Sequence, residues 1–243
     1  MSILHNFILK FNIFHKKFLF KKKYYSFSGV DVIIENIFRR KNNGIYIDVG
    51  CQHPIKNNNT YLLFKKGWNG LNIDLDKDNI DLFNVARPND QNINVAISNK
   101  IGETDLYFYH KKSPINTIDK KTSDYQKAPI SEIKKIKTNT LTNIIKNSKY
   151  KNSKIDLLSI DVEGHESRVL NGAMHTLERN KPLIILESFP PQKIQVIEKL
   201  DRLGYEFADA DRWQALEEGT TNLFAWHPEG PLPKIIIKRI LNP

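Results

Sequence analysis

Short apolar segments alternate with amphipathic segments along most of the chain. Residues 45–50 are a β-branched run that ends in an acid, a glycine and a turn, and residues 155–161 show the strongest buried-strand pattern. Further strands are predicted at residues 70–74, 92–97, 104–109, 183–186, 205–208 and 222–226. Helices are predicted at residues 30–38, 61–66, 77–87, 141–147 and 191–203, with another that follows Glu163 and ends near Gly172. The alternation predicts a doubly wound, Rossmann-like α/β fold with a seven-stranded, mostly parallel sheet and residues 222–226 as an antiparallel edge strand.

The first strand-helix-strand unit has the pattern of a nucleotide fold. Its two strands end close to Asp48 and Asp74, and Gly67 closes the helical stretch between them. In such folds an acid at the end of the second strand holds ribose hydroxyls. The opening half therefore predicts an adenosine-binding βαβ unit.

Acids also follow two later strands, namely Asp161 with Glu163, and Glu187. Because the carboxyl ends of parallel strands meet at one edge of a sheet, we expect these carboxylates to share a crevice with those of the first unit. The chain has neither a G-x-G-x-x-G nor a Walker A sequence, and Gly50 is followed by Cys51 rather than by further glycines. An acidic crevice suits a ligand with hydroxyls and a positive centre, and S-adenosylmethionine has both.

The pattern divides the chain into one domain with appendages. Residues 1–43 form a basic, amphipathic N-terminal helical extension, residues 44–230 the main domain, and residues 231–243 a basic C-terminal tail. Within the main domain, residues 110–135 are polar and lysine-rich and show no sustained period. They are predicted to form a long loop or lid.

The formal net charge of +10 is concentrated at the two ends of the chain. Residues 1–43 hold nine Lys or Arg against two acids, residues 234–243 hold three Lys or Arg and no acid, and the body between them is neutral. A nucleic-acid enzyme normally shows a basic face in its body. The charge distribution therefore disfavours a nucleic-acid partner.

An apolar residue recurs at steps of three and four from Leu4 to Phe18, which predicts an amphipathic helix. Lysines interrupt it too often for a membrane-spanning helix, and it lacks the pattern of a signal peptide. One interpretation is peripheral contact of residues 1–23 with the anionic inner membrane surface. The other is a helix packed on the core or on a partner, and amphipathicity favours neither.

Cys51 is the only cysteine, so an internal disulfide and a cysteine-based metal site are both excluded. This favours a reducing, cytoplasmic setting. Nothing in the sequence pairs Cys51 with an activating base, and the structural interpretation is a small residue that fits the turn.

Three sequence blocks resemble the FkbM family of S-adenosylmethionine-dependent methyltransferases, whose members O-methylate sugars and other secondary-metabolite hydroxyls. The resemblance spans roughly residues 24–190 and is specific in order and spacing. The blocks are YIDVGCQHP at 46–54 with Asn59-Thr60 and GWNGLNID at 67–74, NVAIS at 94–98 with Gly102, and IDLLSIDVEGHE at 155–166 with VLNGA at 169–173.

The resemblance implies a sheet of the class I methyltransferase type and assigns roles to matching positions. Asp48 and Gly50 would flank the methionine part of the cofactor, Asp74 would hold the ribose, and the main chain at Ala96 would lie near the adenine. The implied cofactor-binding set is Asp48, Gly50, Cys51, Thr60, Asp74, Ala96 and Asp161.

The predicted catalytic residues are Asp161, Glu163, His165 and Glu187, and the resemblance implies that Asp161 and Glu163 would face the transferable methyl group. Methyl transfer to a hydroxyl is an in-line displacement that requires alignment of the oxygen and removal of its proton. His165 is a candidate base, since its ordinary pKa lies near neutrality. Asp161 and Glu187 are candidates to orient the hydroxyl or to hold a divalent cation. The structural alternatives are that Glu163 stabilises a helix N-terminus and that His165 is a solvated first-turn residue.

We therefore predict an S-adenosylmethionine-dependent O-methyltransferase that acts on a hydroxyl of a saccharide or glycoconjugate acceptor. It would be cytoplasmic or peripheral at the inner membrane surface. Two alternatives remain open. One is an RNA or protein methyltransferase that grips its substrate with the basic termini, and the other is a cofactor-binding module without turnover.

Overall fold

The computed structural model describes residues 10, 24–111, 113–190, 192–211, 214–217 and 219–231. The amphipathic helix predicted in residues 1–23 and the basic tail predicted in residues 231–243 lie outside the described residues, apart from Lys10 and Pro231. Among the described helices, none is both long enough and apolar enough to cross a membrane.

Strands and helices alternate along the described chain. The strands are β1 (Ile45–Val49), β2 (Asn69–Asp74), β3 (Gln91–Asn94), β4 (Ala96–Ile97), β5 (Gly102–Phe108), β6 (Glu132–Asn139), β7 (Leu157–Ile160), β8 (Leu183–Glu187), β9 (Glu206–Asp209) and β10 (Asn222–Trp226). The helices are α1 (Val30–Ile37), α2 (Tyr61–Lys65), α3 (Lys77–Ala86), α4 (Lys120–Tyr125), α5 (Leu141–Lys146), α6 (Glu166–Asn180) and α7 (Gln192–Asp201).

The central sheet has seven strands in the order β3-β2-β1-β7-β8-β10-β9. Strand β1 pairs in parallel with β2 on one side and with β7 on the other, so the strand order reverses beside β1. In open α/β sheets ligands bind at the carboxyl ends of strands at such a reversal. The predicted doubly wound, mostly parallel sheet is confirmed.

The predicted antiparallel strand is correct in its direction but not in its place. Strand β10 pairs antiparallel with both β8 and β9, and β9 is the edge. Leu223, Phe224, Ala225 and Trp226 are all buried, as expected of a strand covered on both faces and flanked on both sides.

The predicted strand at 92–97 is two strands in two sheets. Residues of β3 pair with β2, whereas β4 pairs with β6 in a second, three-stranded sheet of order β4-β6-β5. The side chain of Asn94 donates to the carbonyls of Asp74 and Leu75 and so ends the pairing with β2. The amide of Val95 still donates to the carbonyl of Asp74 at 3.0 Å, and the chain changes sheets after it.

The segment 110–135, predicted to be an irregular lid, contains α4 and the start of β6. Strand β6 pairs antiparallel along the whole of β5. The sequence of β6 does not show the alternation of apolar and polar residues that is typical of a strand. At one inward-facing position Lys134, rather than an apolar residue, lies over the ring of Phe108, with its ammonium group 4.0 Å from the ring. A hydrophobicity pattern does not identify a strand position that is occupied by a lysine.

Helix α6 continues through Gly172, where the sequence predicts its end. A Cβ on Gly172 would lie 2.1 Å from the carbonyl oxygen of Ser98. This glycine therefore serves close packing of the helix on the loop after β4 and is not a C-cap.

The central sheet is covered on both faces. Tyr46 and Leu157 pack with α1 residues such as Ile34, whereas Ile47 and Leu158, the next residues along the same strands, belong to a second cluster. That second cluster contains apolar residues of α5, α6 and α7. With both faces closed, the carboxyl edge of the sheet is where a ligand can enter.

Candidate active site

The turn after β1 brings two strand ends into contact. Gly50 has φ of 78°, and a Cβ placed on it would lie 1.7 Å from the carbonyl oxygen of Asp161. Its amide donates to the carbonyl of Ile73 at 2.9 Å. Gly50 lines the crevice, and a larger residue there would push the end of β1 away from the end of β7.

Asp74 ends β2 and lines the crevice with its carboxylate held in place. Its Oδ2 accepts from the amide of Gln52 at 2.8 Å, and its Oδ1 accepts from the amide of Asp76 at 2.8 Å and from the side chain of Asn79 at 3.2 Å. Burial raises the pKa of Asp74 to about 6, against the opposing effect of these hydrogen bonds. The group is therefore mostly ionised at neutral pH and has acceptor capacity left for ligand hydroxyls.

Asp48 is buried and is not among the residues that line the crevice. Its Oδ2 accepts from Asn58 at 3.0 Å and from Thr60 at 2.9 Å. The guanidinium of Arg87, itself fully buried, donates to Thr60 Oγ1 at 2.8 Å and to Asn58 Oδ1 at 2.7 Å. We call Asp48, Asn58, Thr60 and Arg87 the Arg87 network.

Burial raises the pKa of Asp48, and the charge of Arg87 opposes that rise. The Arg87 network thus stabilises the turn from behind the crevice. Contact of Asp48 or Thr60 with the cofactor stays a prediction.

Cys51 packs in a buried cluster with Ile80 and Phe83 and does not line the crevice. Burial raises the pKa of its thiol well above the usual range, so the thiol stays neutral. Its amide donates to the carbonyl of Ile73 at 3.2 Å. The geometry supports a small residue fitted to the turn, as the sequence suggested.

Val95 and strand β4 supply an apolar wall. Val95, Ala96 and Ile97 line the crevice together with Ile73 and Ile118. Contact of the main chain at Ala96 with the adenine stays a prediction.

His165 lines the same crevice but is not the solvated residue that its sequence position suggested. It is only 4% exposed, and its Nε2 lies 2.9 Å from Ser98 Oγ. Burial lowers the pKa of His165 to about 4, and the nearby charge of Arg168 acts in the same direction. The imidazole is neutral at physiological pH and is a weak base, which disfavours the proton-accepting role predicted for it.

The carboxylates of Asp161, Glu163 and Glu187 converge at the ends of β7 and β8. Oxygens of all three lie within 4.8 Å of one another. Asp161 is accessible to solvent, yet protein surrounds its carboxylate closely. This desolvation, followed by repulsion from Glu187 and Glu163, raises its pKa well above the usual range. Burial, followed by repulsion from Glu187 and Glu166, raises the pKa of Glu163 to about 7, and burial followed by repulsion from Asp211 raises the pKa of Glu187.

Glu163 and Gly164 form a strained turn between β7 and α6. Glu163 has φ of 52° and Gly164 has φ of 92°. A non-glycine residue in this region costs about 1–3 kcal/mol, and such strain clusters at functional sites. Thr117 donates to the carbonyl of Glu163 at 2.8 Å, and a Cβ on Gly164 would lie 1.9 Å from Thr122 Oγ1. Residues of the 110–135 segment therefore pack directly on this turn.

Several residues of the crevice were not predicted from the sequence. Gln52 holds φ of 48° and presents its amide to Asp74. Asn79 lies in the first turn of α3, and Ser113 and Asn116 come from the 110–135 segment. Their polarity resembles that of ordinary loop residues, so nothing in the pattern marks them out.

The chemistry of the crevice fits S-adenosylmethionine. Asn79 Oδ1 and His165 Nδ1 line it as buried polar atoms without a hydrogen-bond partner among the described residues. Asp74 suits ribose hydroxyls, the wall at residues 95–97 suits an adenine ring, and the carboxylates suit a sulfonium charge.

Comparison with known proteins agrees with this geometry. The family model described as "Methyltransferase FkbM domain" matches residues 48–207. No curated protein matches the chain.

Two solved structures resemble the fold. One is methyltransferase FkbM from Methylobacillus flagellatus, with 13% identity, a TM-score of 0.46, and coverage of 76% of this chain and 44% of that one. The other is a TehB-like SAM-dependent methyltransferase from Corynebacterium glutamicum, with 14% identity, a TM-score of 0.46, and coverage of 92% and 97%. The chain thus spans less than half the length of the first.

The family match covers well over half of the chain, and the sheet order and the crevice at the strand reversal are consistent with it. The chain belongs to the FkbM methyltransferase domain family, which is a family of S-adenosylmethionine-dependent methyltransferases.

Proposed function

We propose that the protein transfers a methyl group from S-adenosylmethionine to a hydroxyl of a saccharide or glycoconjugate. The observation that carries this proposal is that one crevice joins an ionised ribose-type acceptor, Asp74, and an apolar wall to Asp161, a solvent-accessible residue. A cofactor site and an acid-base site are thereby continuous.

The chain's own residues divide the work of the transfer. S-adenosylmethionine, when bound, supplies a methyl group on a positively charged sulfur. Asp161 would orient the acceptor hydroxyl. Glu163, with a pKa of about 7, is poised to take up a proton near neutral pH. The 110–135 segment contributes Ser113 and Asn116 to the crevice wall and limits the entry of water.

The charge of the site supports a neutral acceptor. Asp161, Glu163 and Glu187 lie together at the strand ends, and a phosphodiester backbone would be repelled by them. Phe189, which is 49% exposed, follows Glu187 closely in the chain. Carboxylates that accept hydroxyl hydrogen bonds, beside an exposed ring that can cover the C–H face of a sugar, suit a saccharide.

The substitution Asp161→Asn tests the chemical step. We expect S-adenosylhomocysteine affinity to change less than about threefold while kcat falls about 10²–10⁴-fold, since orientation and charge at the reacting oxygen are lost. Calorimetric titration and transfer of a labelled methyl group to a cell glycan extract measure the two quantities.

Asp201→Asn, the same exchange at an exposed position at the end of α7, is the matched control and should behave as the parent protein. Full transfer activity in Asp161→Asn would remove Asp161 from the mechanism. Label recovered in RNA or in protein, instead of in glycan, would contradict the proposed acceptor.

A further inference from the structure

The acidic group at the ends of β7 and β8 is open to a small ligand. The oxygens of Asp161, Glu163 and Glu187 that lie within 4.8 Å of one another come from one accessible and two half-buried residues. Three carboxylates held at this separation repel one another unless a positive charge lies among them.

The chain itself supplies no such charge within its described parts. Among the ion pairs of the described residues, none involves Asp161, Glu163 or Glu187. Further negative charge surrounds the group, because Glu166 acts on Asp161 and Glu163, and Asp211 acts on Glu187. A cationic ligand would balance this charge.

A buried carboxylate oxygen beside the group also awaits a partner. Glu166 is 2% exposed, and its Oε1 accepts from the amide of Gly164 at 2.9 Å. Its Oε2 is buried and has no hydrogen-bond partner among the described residues. Because Glu166 is electrostatically coupled to Asp161 and Glu163 and is itself acted on by Glu187, this oxygen belongs to the same acidic surroundings.

We propose that Asp161, Glu163 and Glu187 bind a hard divalent cation of the Mg²⁺, Mn²⁺ or Ca²⁺ class. Oxygen is the ligand atom that these ions prefer. Two oxygens bound to one such ion lie at most roughly 4.0–5.2 Å apart, from Mg²⁺ to Ca²⁺, and the three oxygens of this group already lie within 4.8 Å of one another. Glu166 would stand behind the ligands and accept a hydrogen bond from a cation-bound water.

The cation would activate the acceptor, and this step rests on the proposed function. With Glu163 engaged as a ligand, a hydroxyl bound to the ion would lose its proton to water at the mouth of the crevice rather than to Glu163. The oxygen pair then forms the new O–CH₃ bond while the S–CH₃ bond breaks. The pair of that bond stays on sulfur and leaves neutral S-adenosylhomocysteine.

Binding of Mn²⁺ to the full chain, without cofactor or acceptor, tests the site. Electron paramagnetic resonance of free Mn²⁺ during titration should show one site. Glu163→Gln and Glu187→Gln should each weaken its affinity at least about tenfold, as expected for loss of a charged ligand. Glu178→Gln, the same exchange at an exposed position on α6, is the matched control and should leave the affinity unchanged.

Absence of a Mn²⁺ site, or equal affinity in all variants, would overturn the proposal. The positive charge required by the group would then be the sulfonium of the cofactor. Binding of S-adenosylmethionine measured in EDTA keeps the two proposals separate, because loss of cofactor binding there affects the proposed function and not the metal site.

Discussion

Two groups of acidic residues lie at the carboxyl edge of the central sheet, and they differ in how their charges are balanced. Asp48, at the end of β1, is held by Asn58 and Thr60, with the guanidinium of Arg87 behind them. Asp161 and Glu187, at the ends of β7 and β8, face other carboxylates and have no ion-pair partner among the described residues.

This difference distinguishes an acidic group that stabilises the fold from one that binds a ligand. A buried charge whose partners are all in the protein contributes to the native structure, and removal of one partner leaves the others uncompensated. A group of like charges without a partner destabilises the fold. Such groups cluster at functional sites, where a bound ligand can supply the opposite charge. Sequence alone gives both groups the same appearance, an acid at the end of an apolar strand.

The largest expected effect is at Arg87. Arg87→Met removes the buried cation together with its hydrogen bonds to Asn58 and Thr60, and leaves Asp48 uncompensated. We expect the free energy of unfolding to fall by about 3–5 kcal/mol, as for other broken buried charge networks. Urea denaturation followed by circular dichroism measures it.

Arg202→Met, at an exposed arginine whose only ion pair within the described part of the chain is a 3.9 Å contact with Glu198, is the matched control and should change stability by less than about 0.5 kcal/mol. If Arg87→Met were as mild as this control, the Arg87 network would not be a structural support, and the predicted cofactor role of Asp48 would gain weight.

The fold was predictable because its pattern is strong and local. The run at residues 155–161 and the acid-glycine turn at Gly50 marked the strand reversal correctly. Strand β6 was missed because Lys134 takes a covering position in it. The end of α6 was misplaced because Gly172 is needed for close packing on Ser98, which only the tertiary structure reveals.

The candidate site was predictable in residue type but less so in arrangement. Asp74, Gly50, Ala96 and Asp161 line one crevice as expected. The burial of His165 and the position of Asp48 behind the crevice depend on contacts with Ser98 and Arg87, which are distant in sequence. No local pattern encodes such contacts.

The next largest effect is at Asp74, which combines both kinds of role. Its carboxylate holds the amide of Gln52 and also lines the crevice. Asp74→Asn should weaken S-adenosylhomocysteine binding about 10–100-fold, equivalent to one or two hydrogen bonds to a charged acceptor. Calorimetric titration measures the affinity, and Asp201→Asn again serves as the control.

The pKa of about 6 for Asp74 adds a pH dependence to that prediction. Protonation removes the acceptor charge, so cofactor affinity of the parent protein should fall as the pH drops through about 6. The Asn variant should not show this step. An identical pH profile in both proteins would remove Asp74 from ribose binding.

The smallest expected effect is an increase in stability at the acidic group. A carboxylate whose pKa is higher in the folded chain than in the unfolded chain makes the protein less stable as the pH rises through the folded pKa. Glu163 has a pKa of about 7, and the pKa of Glu187 is also raised.

Glu187→Gln removes one of the mutually repelling charges, so in EDTA at pH 8 it should raise the free energy of unfolding by up to about 1 kcal/mol, since the site is partly solvated. At pH 5, where Glu163 is largely protonated and no longer repels Glu187, the gain in stability from Glu187→Gln should be smaller than at pH 8. A loss of stability at pH 8 would mean that Glu187 has a stabilising partner like that of Asp48, and the contrast between the two acidic groups would fail.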